Sequence, residues 1–140
     1  MTWVDNREND IKDIMARLKV LQSNGVIVTL DRNPDGKLTT DDMDAVLLYE
    51  GPDSVIVPGR TKSDGDQKRE MSFVTELWVY SSVVATRHSA LRNLYNESRK
   101  VILKHNNVAE NSATQVYTSG VPGVLGMGVV YKLKYINQGL

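Results

Sequence analysis

The sequence contains no cysteine, and this absence excludes disulfide bonds and thiolate metal sites. It also lacks an apolar run of about 18 residues, and its N-terminus has no charged segment followed by an apolar one, so we expect neither a membrane span nor a signal peptide. The net charge is zero, because 17 Lys and Arg balance 17 Asp and Glu. No overall field therefore draws the chain toward nucleic acid or membrane, and the composition is compatible with a reducing compartment.

Recognisable catalytic patterns are also missing. The sequence has no nucleophile elbow, no metal-spaced histidine pair and no carboxylate dyad in a defined context. His88 and His105 fall near opposite ends of one predicted helix, roughly 25 Å apart along its axis, so they cannot act on one atom. We therefore expect no catalytic residues, no cofactor and no enzymatic activity.

The fold is predicted around one strand and the helix that follows it. From Met71 to Tyr80 the apolar residues alternate with the period of a pleated strand. Apolar positions three, four or seven apart then predict an amphipathic helix from about Thr86 to Lys104, capped by Thr86. Alternation from Met127 to Ile136 predicts a closing strand that pairs beside Met71–Tyr80.

The remaining elements complete a single α+β domain spanning residues 1–140. We expect a mainly antiparallel sheet of about four to six strands with two principal helices packed on it. The other predicted segments are a helix at Asn6–Ser23, a doubly buried strand at Val26–Leu30, strands at Asp44–Glu50 and Val55–Val57 or one strand bent at Gly51-Pro52, a mobile loop at about 59–70, a short strand at Ala113–Thr118 and a glycine-rich connection at Gly120–Gly128.

One segment has the spacing of a calcium loop. Between Asp31 and Asp42, oxygen-bearing side chains stand at loop positions one, three and five, glycine at six and a carboxylate at twelve. Its ligands would be Asp31, Asn33, Asp35, the Lys37 carbonyl and Asp42. A calcium loop of this type lies between two helices, whereas a strand former precedes this one. The alternative is a plain Asx-rich turn between strands with no metal.

Two features favour self-association. The charges are segregated, with seven acids between Asp31 and Asp53 and mainly Arg and Lys on the second helix. We expect the acidic segment Asp31–Asp53 of one copy to face the basic helix of another, with Asp41, Asp44, Arg92 and Arg99 as interface candidates, although two solvated faces would give the same pattern. Trp78 and Tyr80 occupy the second face of the central strand, where either the N-terminal helix or another copy must cover them.

The order of elements resembles that of the tail terminator proteins of long-tailed bacteriophages. The shared features are a leading amphipathic helix, the strand Ala45–Glu50, a long polar loop, the strand Ser72–Tyr80, a helix and the closing strand Gly128–Tyr135. The likeness spans nearly the whole chain and consists of alternation and element order. The segment Asp31–Asp42 departs from the family pattern and is interpreted as an insertion between strands.

The resemblance implies a small structural subunit of the virion. It would assemble as a homohexameric ring that ends the tail tube and joins it to the head connector, while duplex DNA passes through the bore without sequence-specific binding. The expected partners are the tail tube protein and the head–tail connector protein, and the expected location is the head-proximal end of the tail, after assembly in the host cytoplasm. In the polar loop, Arg60, Lys62, Lys68 and Arg69 are candidates for partner contact.

Overall fold

The computed structural model describes residues 3–4, 6–36, 38–55, 67–113, 116–118 and 120–139. These residues form two α-helices, one 3₁₀ helix and seven strands. In chain order the elements are β1 (Trp3–Val4), α1 (Asn6–Ser23), β2 (Thr29–Arg32), the 3₁₀ helix (Thr40–Asp42), β3 (Ala45–Val55), β4 (Gln67–Tyr80), α2 (Val84–Ile102), β5 (Val108–Ala113), β6 (Tyr117–Thr118) and β7 (Val124–Gly139).

The sheet is organised around β4 and β7, its two longest strands. They pair antiparallel from Gln67↔Asn137 to Tyr80↔Val124, which confirms the predicted pairing of the closing strand. Beyond β4 come β3 and then β2, while β1, β5 and β6 all pair with the far side of β7. The α+β class is confirmed, but the sheet is mixed, because β2 and β3 run parallel. Two consecutive parallel strands require a crossover connection that returns the chain to the end of the sheet where the first strand began. Here the connection is the segment that carries the 3₁₀ helix.

Both helices pack on the same face of the sheet, which we call the helix face. In α1 the buried residues Ile11, Ile14, Leu18 and Leu21 recur at helical spacing. They join one core with Leu91 and Leu94 of α2 and with alternate residues of the strands. The N-terminal helix therefore does not cover Trp78 and Tyr80, and the opposite side of the sheet, the open face, has no α-helix on it among the described residues.

Alternation decides which residues of β4 enter this core. Met71, Phe73, Thr75, Leu77 and Val79 are buried on the helix face, whereas the residues between them point to the open face and stay partly accessible. The Phe73 ring stacks on that of Tyr131 in β7, with centroids 5.2 Å apart. The amphipathic pattern thus fixes both the sheet pairing and the side on which the helices lie.

The predicted strand at Val26–Leu30 is wrong in place and in burial. Strand β2 begins at Thr29, β3 is its one neighbour among the described strands, and Val28 is exposed. Of the two alternatives for the segment that follows, one strand bent at Gly51-Pro52 is confirmed, because β3 runs from Ala45 to Val55 and its register shifts between Glu50 and Asp53. Gly51 stands at that bend, where a Cβ would lie 2.8 Å from the Ser72 carbonyl oxygen. Positions 56 and 57 lie outside the described residues.

Three further boundaries differ from the prediction. The loop predicted at about 59–70 is incorrect at its end, because residues 67–70 already belong to β4, and positions 59–66 lie outside the described residues. The segment Gly120–Gly128 is not wholly a connection, since β7 starts at Val124. The predicted strand Ala113–Thr118 includes β6 but only the last residue of β5, so β5 was not predicted. Pairing with β7 compensates for the weak local strand propensity of both.

Candidate assembly surfaces

Trp78 lies flat against the strand next to it on the open face. Its partner in register is Gly126, and a Cβ added there would lie 2.4 Å from Trp78 Cζ3. The indole nitrogen donates a hydrogen bond of 3.2 Å to Glu76 Oε1 on the same face. The absence of a side chain at Gly126 therefore lets a large aromatic ring rest on the sheet while one surface stays accessible.

A groove runs beside Trp78, between the sheet and the segment 38–43. Its volume is about 440 Å³, and its lining includes the Glu76 carboxylate and the apolar residues Leu38, Met43, Leu47, Tyr49, Trp78, Val121 and Val124. The 3₁₀ helix that forms one wall is held by a reciprocal cap, because the Asp42 carboxylate accepts hydrogen bonds from the Thr39 amide at 2.7 Å and from its hydroxyl at 3.1 Å. Asp41, on that same wall, is exposed.

Two stretches of the chain that reach the end of the molecule next to this groove contain no charged residue. No charged residue occurs from Leu77 through Thr86, or from Asn111 through Tyr131. Tyr80 is 44% exposed, Val83 54% and Val84 66%, and Val116 and Val121 are also exposed. In a chain in which charged residues make up 24% of the sequence, two uncharged stretches with this many accessible apolar side chains are typical of a contact surface.

In the turn into α2, the polar side chains bond to the backbone of the turn and the two valines are exposed. The helix begins at Val84 with Val83 as its N-cap, so the predicted capping role of Thr86 is wrong. The Ser81 hydroxyl accepts a hydrogen bond from the Val83 amide at 3.2 Å, and the Thr86 hydroxyl donates to the Val83 carbonyl at 3.0 Å. These bonds fix the turn and leave Val83 and Val84, which we call the valine tip, projecting into solvent.

The opposite end of the sheet is highly charged, and its charges are paired within the chain. Arg32 donates two hydrogen bonds of 2.7 Å to the carboxylate of Glu8 in α1 and one of 2.9 Å to Glu50 in β3. Arg7 lies 3.4 Å from Glu50 and 3.2 Å from Asp53. The Arg32 hydrogen bonds lower the pKa of both Glu8 and Glu50. The network joins the start of α1 to the sheet.

Asp53 extends this network to the central strands. It accepts a hydrogen bond from the Tyr135 hydroxyl of β7, and Arg69 of β4 lies 3.3 Å from its other oxygen. The Tyr135 hydrogen bond lowers the pKa of Asp53, and the neighbouring Arg69 lowers it further. Sequence reasoning did not find the network, because the paired residues are separated by 16 residues or more along the chain.

The predicted interface residues occupy different environments. Arg92 is exposed, with its guanidinium carbon 5.4 Å from the centroid of the Tyr95 ring. Arg99 is paired within the chain, donating a 2.6 Å hydrogen bond to Glu110 of β5. Asp44 is half-buried, and burial raises the pKa of its carboxyl group. The structure thus leaves Arg92 and Asp41 accessible, with Arg99 and Asp44 largely engaged.

The candidates in the polar loop are only partly described. Lys68 is exposed but lies in β4 instead of a loop. Arg69, in the same strand, is partly buried and paired with Asp53. Arg60 and Lys62 lie outside the described residues.

The calcium-loop candidates do not come together as ligands. Asn33 directs its side-chain carbonyl to the Glu50 amide at 2.9 Å, and Asp42 caps Thr39. Asp31 and Asp35 are exposed, and Lys37 lies outside the described residues. Across the described part of the chain, no three His, Asp or Glu side chains are grouped as a metal site. These contacts match the alternative of a turn between strands, in which Asn33 adopts a left-handed φ of 47°.

The two histidines are also far from a shared site. His105 is buried at the end of α2, where its Nε2 lies 3.3 Å from Asp10 Oδ1 and its Nδ1 accepts a hydrogen bond from the Asn107 amide. His88 is exposed on the first turns of α2. Neither described helix has the length and apolarity needed to cross a membrane.

Comparisons with known proteins show a likeness in fold alone. The sequence matches no protein-family model and no curated protein. Among solved structures, the fold is similar to that of a chain in the virion of a native gene transfer agent particle. The match has a TM-score of 0.50 and 11% sequence identity, and it covers 90% of this chain and 92% of that chain.

Proposed function

We propose that this protein is a structural component of a phage-like virion. The observation that carries the proposal is the fold shared over 90% of the chain with a component of the gene transfer agent virion. The element order, which resembles that of tail terminator proteins, points to the same class independently of that comparison. No part of the role requires catalysis, so the protein would not be an enzyme and would need no cofactor.

Within that class, the function we propose is tail termination. The chain would form a homohexameric ring at the head-proximal end of the tail after assembly in the host cytoplasm. The ring would stop growth of the tail tube and join the tube to the head connector, with duplex DNA passing through the bore and no membrane involved. The accessible groove and valine tip support this role, because a closed ring needs two different surfaces on each subunit that fit each other.

Tube termination can be tested with the tail tube protein of the same virion. When that protein polymerises in the presence of the purified chain, we expect shorter tubes that carry a ring at one end in negative-stain micrographs. Tubes of unchanged length with bare ends would contradict the proposal. A chain that decorates the whole length of the tube would contradict it too, because termination requires binding at an end.

A further inference from the structure

The groove and the valine tip lie on opposite sides of the sheet. The groove is lined by Leu47 and Trp78 of the open face, whereas the valine tip begins α2, which packs on the helix face. One surface is concave and the other projects, and both are apolar. A copy whose valine tip enters the groove of a second copy still presents its own groove to a third. This is the heterologous arrangement from which rings are built.

Charges around the two surfaces are of opposite sign. Val84, His88 and Arg92 are four residues apart on α2, so they share one stripe of the helix, and all three are exposed. The stripe spans about 12 Å from the valine to the arginine. On the other surface, Asp41 is exposed beside Thr40, which lines the groove. Asp41 thus places an acidic group at the rim of the groove, and Arg92 places a basic group on the stripe that extends from the valine tip.

We propose that the first turns of α2 dock into the groove of a neighbouring copy of this chain. Val83 and Val84 fill the space between Leu38 and Trp78, and Arg92 meets Asp41 at the rim. The inference rests on the proposed ring and specifies which surfaces of each subunit join. A second copy is the occupant because the chain itself supplies the complementary tip, with mainly apolar side chains at the centre of both surfaces and opposite charges, Asp41 and Arg92, at the edge. Glu76, which also lines the groove, accepts the hydrogen bond of the Trp78 indole.

Disulfide trapping can test this contact, because the natural chain has no cysteine that could form a competing bond. The variant Leu38→Cys/Val84→Cys is oxidised as the assembled protein and run on a denaturing gel. A bond forms only when two Cα atoms approach within about 7 Å. We expect a ladder of covalent multimers that collapses to one band on reduction. The control, Leu38→Cys/Val20→Cys, places the second cysteine at another exposed valine, in α1, which is 51% accessible against 66% for Val84, and should run as a single band.

Substitutions give a second measurement. Val84→Asp should shift the wild-type assembly toward monomers in light scattering, whereas Val20→Asp should leave it unchanged. Asp41→Arg and Arg92→Asp should each weaken assembly, and the two together should restore it. Circular dichroism melting of each monomer checks that the chain still folds.

The outcomes separate the two proposals. If the wild-type chain assembles, but Val84→Asp assembles equally well and the cysteine pair gives no ladder, the docking surface is wrong and the ring stands. If the wild-type chain never assembles, both proposals are wrong.

Discussion

At the scale of single residues, Gly126 controls the shape of the open face. Its Cα is where the Trp78 ring rests, and an added Cβ would meet three ring carbons at 2.4, 2.5 and 2.7 Å. A contact this short cannot be relieved by a small rotation, because the neighbour is a rigid ring. The groove depends on Trp78, so the identity of a residue with no side chain determines part of the surface that we assign to assembly.

Replacing Gly126 with alanine should displace the indole and destabilise the chain. We expect a loss of about 1–3 kcal/mol in the free energy of unfolding, the usual cost of overpacking. Emission of Trp78, measured in a Trp3→Phe background, should shift to longer wavelength as the ring moves into water. Gly36→Ala is the matched control, since nothing lies within 4 Å of its added Cβ. Equal stability and equal emission in both variants would contradict this account of Trp78.

At the scale of elements, the charged network explains how α1 is held to the sheet beyond its apolar stripe. Glu50 has a side chain that is only 12% exposed, yet Arg32 and Arg7 both approach it. A carboxylate this deeply placed is tolerated because its charge is paired and hydrogen-bonded. The start of α1 is thereby tied to β2 and β3 at the end of the sheet that lies away from the groove.

The network makes stability depend on pH in a definite direction. Arg32 holds the folded-state pKa of Glu50 below its ordinary value of 4.5. The resulting stabilisation is therefore fully present above pH 4.5 and is lost as the pH falls through the lower folded value. Urea unfolding from pH 7 to pH 3 should show a constant stability above about pH 5.5 and a decline below about pH 4.5.

The variant Arg32→Met tests the origin of that decline. At pH 7 it should lose about 2 kcal/mol, because Glu50 keeps a partly buried charge with fewer partners, and its stability should fall less on acidification. Arg17→Met is the control, since Arg17 pairs with Asp13 one turn away on α1, their side chains are 35% and 45% exposed, and the loss of this pair should cost about 0.3–0.5 kcal/mol. The same acid decline in the wild type and in Arg32→Met would assign it to other groups.

Sequence periodicity predicted the elements whose burial is local. Helix α1 was predicted with the bounds that the structure has, since Ile11, Ile14, Leu18 and Leu21 form one stripe. Strand β4 and its pairing with β7 followed from alternation. Strand β5 was missed, because Ala109, Glu110 and Asn111 have weak strand propensity and pair only because β7 presents a free edge. The start of β7 was not predicted, because glycine has low strand propensity. The structure shows why Gly126 is there, since the Trp78 ring rests against it.

The candidate surfaces were predictable in part. Trp78 and Tyr80 were identified because they are large aromatic residues on the face of β4 that does not point into the core, and such residues are usually covered by another part of the protein or by a partner. The groove itself was not, since it requires the segment 38–43 to fold back over the sheet. Arg99 was proposed for an intermolecular contact, but its partner within the chain, Glu110, lies in the strand that sequence reasoning missed.

At the scale of the whole molecule, the two ends of the sheet differ in character. The end that carries Glu50 and Asp53 satisfies its charges within the chain, through Arg7, Arg32 and Arg69. The other end leaves the valine tip and the groove accessible. A subunit of this kind can fold alone, because the charges at one end are paired within the chain. It still has apolar surface at the other end that association would bury.

The mass and shape of the purified protein test the central claim most directly. Native mass spectrometry, with averaged electron micrographs of the same sample, should show six copies of the 15.6 kDa chain closed into a ring with a central opening. A single 15.6 kDa species at every concentration measured, with no ring in the micrographs, would contradict the account.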